Sequence, residues 1–265
     1  MSFKARVAAI LALAAAAVAA MTFVPPIPQD PAYHLFADLR TCFGVPNFGN
    51  VASNAVFVLV GGWGLVALYR GPLEGRFAAF ADTVPYAVFF VGTMMVGAGS
   101  AYYHWHPDDR TLFWDRLPMT IAFMAFTAAV VADRVHRQAG LRVVLPLLLV
   151  VGVASLLYWV WTGQAGRGDL RFYGLVQFLP IVLIPVICWL FPAHRHTAGR
   201  HIAAIVGWYA LAKVFEQFDA QLYDILGNAV SGHSLKHLVA GVATACVIPM
   251  VGPLTNRASG PTPAS

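Results

Sequence analysis

Apolar runs of membrane-spanning length recur along this chain, separated by short turns rich in Gly, Pro and charge. A bilayer core takes about 20 helical residues. Seven runs approach that length after residue 50: roughly Val51–Tyr69, Thr83–Tyr103, Leu112–Ala132, Val143–Trp161, Phe172–Phe191, Ile202–Phe218 and His233–Val251. The short connections predict antiparallel neighbours. Pro85, Pro118, Pro146, Pro180 and Pro185 lie inside the runs, as membrane helices tolerate. A further apolar stretch, residues 1–24, carries Lys4 and Arg6 and then many alanines. It reads either as a signal peptide, with small residues at Ala17 to Ala20 suited to cleavage, or as a retained helix, the reading preferred here. Pro25 to Pro31 stops any helix. Residues 25–49 then read as an extracytoplasmic loop segment, 50–252 as a seven-helix membrane domain, and 253–265 as a disordered tail. The fold class expected is an all-α integral membrane bundle of seven helices, with an extra hydrophobic helix or signal peptide at the N-terminus.

Composition sharpens this reading. Of 265 residues, 59% are hydrophobic and 11% charged, where a soluble domain carries about 25% charged residues. The net charge of +5 does not point to nucleic acid, because no Lys/Arg block exists and the basic residues sit in short loops. Cys42, Cys188 and Cys246 lack CxxC spacing, so neither a disulfide framework nor a thiolate metal site is indicated. No feature calls for an obligatory protein partner.

A few polar residues interrupt the apolar runs. Ser100 and His104 are four apart at the end of the second run, and His233 and His237 are four apart at the start of the last. On a helix that spacing puts each pair on one face. Asp115 opens the third run. Counting crossings, the second run ends, and the third and seventh begin, on the same side of the membrane. His104, Asp115, His233 and His237 therefore fall at one depth. Ten of the 17 Lys and Arg residues lie on the opposite side. The positive-inside rule then puts the site near the non-cytoplasmic face.

Ionisable groups inside apolar helices are costly and mark function. Three imidazoles plus a water make an open tetrahedral zinc site, which activates the water and polarises a carbonyl. Asp115 can carry a proton from water to a leaving amine. Ser100 can donate to a developing oxyanion or orient the water. Helix-to-helix hydrogen bonding would explain one histidine, but not three with an aspartate at one depth. Asn50, Ser53 and Asn54 share a helical face; they either support the site from behind or bond helix to helix. His106 reads as a solvated interfacial residue. Lys213, Glu216 and Asp219 read as a structural ion-pair cluster, and His194, His196 and His201 as a membrane-surface edge.

These stretches resemble the alkaline ceramidases, seven-span zinc amidases of a superfamily that includes adiponectin-receptor-like proteins. Asn50-Val-Ala-Ser-Asn54 resembles the family's NxxSN, and Gly97-Ala-Gly-Ser-Ala-Tyr-Tyr-His104 its GxGSxxxH. Asp115-Arg-Leu-Pro-Met119 is similar to DxLPM, and His233-Ser-Leu-Lys-His237 to HxxxH in the last span. The resemblance covers roughly Asp38 to Val251. It implies zinc on His104, His233 and His237, Asp115 as proton shuttle and Ser100 as oxyanion or water partner. The implied reaction is hydrolysis of ceramide or a related N-acyl sphingoid lipid to a fatty acid and a sphingoid base. Eukaryotic members carry an acidic calcium-binding segment before NxxSN. The corresponding stretch here leaves only Asp38 and Asn47 as oxygen donors, a set suited at most to a weak calcium site. The low Lys to Arg ratio and the N-terminal helix suggest a bacterial, inner-membrane member. The alternatives are a non-hydrolytic lipid-binding receptor with structural zinc, and a transporter, which needs a polar path across the whole membrane.

Overall fold

The computed structural model describes residues 1–70 and 76–252, so the expected tail at 253–265 lies outside the described residues. Regular structure among the described residues is helical. Among the described residues, seven helices are long and apolar enough to cross a membrane: α1 (Phe3–Phe23), α2 (Phe48–Tyr69), α3 (Phe80–Trp105), α4 (Asp109–Arg134), α5 (Arg137–Gln164), α6 (Arg171–Leu190) and α9 (Gly232–Val251). Between the last two lie α7 (Gly199–Gln217) and the short α8 (Asp219–Ile225). The sequence places α7 among the spanning runs. It has the length, at 19 residues, but Arg200, His201, Lys213 and Glu216 lower its apolarity and set it apart from the seven. It still carries the chain the length of the bundle to the end that holds the histidines, labelled outer with the opposite end inner, where Asp219 meets His233.

Two apolar clusters divide the bundle. The inner one gathers Leu68, Phe77, Phe89, Phe90 and Phe126; the outer one gathers Phe36, Tyr103, Leu112, Leu156, Trp159 and Tyr173. The inner end is closed by Asp133 and Arg134. Asp133 accepts from the backbone N–H groups of Arg195, His196 and Thr197, and Arg134 donates to the Phe191 carbonyl at 2.8 Å. His196 is not a surface residue: it is buried, stacked on Phe77 at 4.5 Å.

The N-terminal segment is built into this frame. Phe3 packs edge-on against Phe191 at 5.7 Å. Arg171 donates to the Val24 and Met21 carbonyls at 2.6 and 3.3 Å, serving the unpaired carbonyls at the end of α1. Leu170 N–H bonds the Ile27 carbonyl at 2.8 Å, and Arg116 bonds Gln29 at 2.7 Å. Residues 24–47 then cross the outer end of the bundle as a strap, with one turn of 3-10 helix at Pro31–His34.

Asp169 holds Arg171 in place. The hydrogen bond from the Arg171 guanidinium, opposed by burial and helped by the Arg171 N–H and the Tyr158 hydroxyl, lowers the Asp169 carboxyl to about 2. An unfolded Asp titrates at about 3.9. The pair's contribution to stability is thus complete above about pH 4 and is lost as pH falls through about 2. Thermal unfolding in detergent should show an acid-side loss over that window that Asp169→Asn reduces. At neutral pH the variant should unfold lower, by about 2–4 °C for each kcal/mol lost. Identical pH profiles for the two proteins would remove this anchor.

Candidate metal centre

The site forms where α2, α3, α4 and α9 approach most closely, and the glycines of the third helix permit it. A Cβ on Gly99 would lie 2.1 Å from the Trp114 carbonyl oxygen of α4. One on Gly97 would lie 2.6 Å from a Val58 methyl and 3.0 Å from the Asn54 carbonyl of α2. Side chains at either position would push α3 off its neighbours. With hydrogens there instead, Ser100 and His104 face both helices at once. Gly241 does the same between α9 and Val56 of α2.

His104, His233 and His237 are buried, and their ring centroids lie 4.7 to 5.0 Å apart. One ring nitrogen from each falls within a group no more than 4.8 Å across. His104 Nε2 and His233 Nε2 are 3.3 Å apart. Ser53 Oγ sits 2.8 Å from His237 Nδ1 and donates to the Asn50 carbonyl. That contact turns His237 Nε2 toward the other two rings, where it has no hydrogen-bond partner. A buried polar atom without a partner costs about 1–3 kcal/mol, and a cation taking three lone pairs removes that cost. The donor set, three imidazoles with a hydroxyl fixing one ring from behind, fits a divalent ion of the zinc type.

Asp115 is buried at the start of α4, where Ser100 of α3 acts on its carboxylate, and it lies outside the three-nitrogen group. Asn50 Oδ1 accepts from the Ser231 and Ser234 hydroxyls at 3.1 and 2.9 Å, tying α2 to the start of α9. Asn54 Nδ2 donates to the Asn50 carbonyl at 2.7 Å. Of these three α2 residues, then, Ser53 touches a histidine while Asn50 and Asn54 bond helix to helix or within α2. His106 is exposed and stands apart from the group.

Several contacts have no forerunner in the sequence reading. Phe36 of the strap roofs the site, its ring 4.7 Å from His104 and 5.0 Å from His233. His34 bonds the Tyr103 hydroxyl at 3.0 Å. Asp219 accepts from His233 N–H at 2.7 Å and from Ala37 N–H at 3.0 Å, so one carboxylate joins α9 to the roof. The expected ion-pair cluster is rearranged accordingly: Glu216 pairs with Lys213 and, at 2.8 Å, with Lys236. Lys236 Nζ is also 3.2 Å from His233 Nε2. A lysine inside an apolar run, one residue before a histidine of the HxxxH pair, was the available sign.

The oxygen donors expected for calcium are otherwise engaged. Arg40 Nε and Nη2 take the two oxygens of buried Asp38 at 2.8 Å each. That hydrogen bonding, against burial and with help from the Arg40 N–H and the Tyr223 hydroxyl, holds the Asp38 carboxyl below its usual range. Asn47 donates its amide nitrogen to the His104 carbonyl at 2.9 Å. A guanidinium already neutralises the one carboxylate, so Asp38 and Asn47 do not fit a calcium ion.

A model of the ceramidase family matches residues 43–264. No curated protein matches the chain. The family match takes in every residue of the histidine group, Ser100 and Asp115, and leaves α1 and most of the strap outside it.

Ser53→Ala should leave the fold intact and weaken metal binding about 10–100-fold, the usual cost of losing a partner behind a ligand. Competition against a graded series of chelators reads this directly. Unchanged affinity would mean that the hydroxyl plays no part in orienting His237.

Proposed function

The chain belongs to the ceramidase family, and on that premise we propose that it is a zinc-dependent membrane amidohydrolase. Its substrate is ceramide or a related N-acyl sphingoid lipid, cleaved to a fatty acid and a free sphingoid base. The observation that carries the reading is the meeting of His104, His233 and His237 beside the Ser100–Asp115 pair, at one end of a membrane-type bundle.

His104, His233 and His237 hold the zinc, with Ser53 fixing the His237 ring. When bound, the ion supplies Lewis-acid activation of a water and of the amide carbonyl. Asp115 accepts a proton from the attacking water and delivers it to the departing amine nitrogen. Water adds to the acyl carbon, the C–N bond breaks, and the proton ends on the amine. Ser100, one turn before His104, offers its hydroxyl to the acyl oxygen as negative charge develops there. Phe36 and the strap cover the outer mouth, so the acyl chain enters sideways between helices. The excess of Lys and Arg at the other end of the bundle supports a mouth at the non-cytoplasmic face, in a bacterial cell the outer side of the inner membrane. The receptor alternative needs a closed four-ligand site. Asp115 outside the three-nitrogen group and His106 exposed both speak for an open one.

Detergent-purified protein should carry one zinc per chain and release fatty acid from a fluorescent N-acyl sphingosine in a chelator-sensitive way. His104→Ala, His233→Ala or His237→Ala should lose both metal and activity. Asp115→Asn should retain the metal and lose turnover by about 10²–10⁴-fold. Full activity without zinc would overturn the mechanism, and an unchanged rate in Asp115→Asn would remove the proton carrier.

A further inference from the structure

Lys236 has no part in the mechanism above, yet its ammonium lies inside the site. Nζ is 3.2 Å from His233 Nε2, the same atom that faces His104 Nε2 at 3.3 Å. It is held there by Glu216 at 2.8 Å. Glu216 has a second cationic partner, Lys213, on its own helix. Neutralising Glu216 therefore does not require Lys236, and the three side chains together carry one net positive charge. Asp115 and Tyr33 also act on the ammonium electrostatically.

An ammonium has three donors. Glu216 accepts one. A second points at His233 Nε2, which has a single lone pair in the plane of its ring. That lone pair can accept a hydrogen bond or bind a cation, but not both. With a metal on that lone pair the donor aimed at His233 would be released, and the ammonium would have donors to spare beside the rings, under Phe36. A cation with free donors, within an apolar bundle and beside the proton carrier, suits an anionic oxygen and repels an ammonium.

We propose that Lys236 is an acyl-binding residue: its free N–H groups hold the acyl oxygen of the lipid during reaction and the carboxylate of the fatty acid afterwards. This deepens the amidohydrolase reading and rests on it. The same charge discriminates between products, gripping the fatty acid and disfavouring the protonated sphingoid amine.

The test measures binding to the zinc-loaded, full-length protein in detergent, with palmitate as probe and hexadecanol as its uncharged counterpart. Wild type should prefer palmitate. Lys236→Met should cut that preference by about tenfold or more, the usual weight of a hydrogen bond to a charged group, while zinc content stays at one per chain. Lys236→Arg should restore part of it. The double variant Glu216→Gln/Lys236→Met removes the pair together and carries the test should the single variant fail to fold; it should bind palmitate as weakly as the single variant. An undiminished preference in Lys236→Met, or its return in the double variant, would overturn the proposal, because Lys236 would then serve only to neutralise Glu216. The two readings fail separately. Ceramide hydrolysis with palmitate binding insensitive to residue 236 sinks only the role of Lys236. Loss of palmitate binding in a protein that hydrolyses no N-acyl sphingoid lipid sinks only the choice of substrate.

Discussion

Three imidazole nitrogens converge inside a bundle that offers little water to satisfy them, and most of the outer half of this protein follows from that constraint. Each ring has two nitrogens, and a partner on the one turned away from the group fixes the direction of the other. Ser53 does this for His237. The backbones carrying the rings are fixed too: Asn47 holds the His104 carbonyl, and Asp219 holds the His233 N–H. These contacts come from α2 and its approach and from the α7–α8 junction, so elements remote in sequence must reach the same end. The close approaches at Gly97 and Gly99 are the steric counterpart, because Ser100 and Asp115 meet only if α3 and α4 nearly touch.

The strap completes the enclosure. Phe36 covers two of the three rings with an apolar face. Its position is determined from both directions. Towards the N-terminus, Arg171 and Arg116 fix the end of α1 and Gln29. Towards the C-terminus, Arg40 and Asp38 form a closed ion pair that also reaches the Ala229 carbonyl. The site thus depends on residues that precede the part of the chain matched by the family model.

The parts of the site that were legible in the sequence share one property: their geometry is set by helix periodicity. Ser100 with His104, and His233 with His237, are each one turn apart, and counting crossings brings the helix ends to one level. Phe36 and Asp219 have no such signature, since a loop aromatic and a carboxylate at a helix junction gain meaning only from partners far along the chain. Asn47 shows the limit of reading a residue by its oxygen, for it is the amide nitrogen that is used. Position 40 has the same lesson. An arginine two residues after Asp38 closes on that carboxylate and supplies the positive charge that an ion would otherwise bring.

α7 shows why spanning length and spanning apolarity part company here. Its outer end must present Glu216 to two lysines and lead directly into Asp219, and each of these groups lowers the apolarity that favours a membrane. A helix of hydrocarbon alone at that position would insert more readily and would leave Lys236 as a buried, unpaired cation beside three imidazoles. Breaking a buried ion pair from one side costs about 3–5 kcal/mol, more than one charged residue costs on an insertion scale, about 2.5–3.5 kcal/mol at the helix centre and less near its end. The polar outer end of α7 thus follows from Lys236, and Lys236 in turn from the donors it brings beside the histidines.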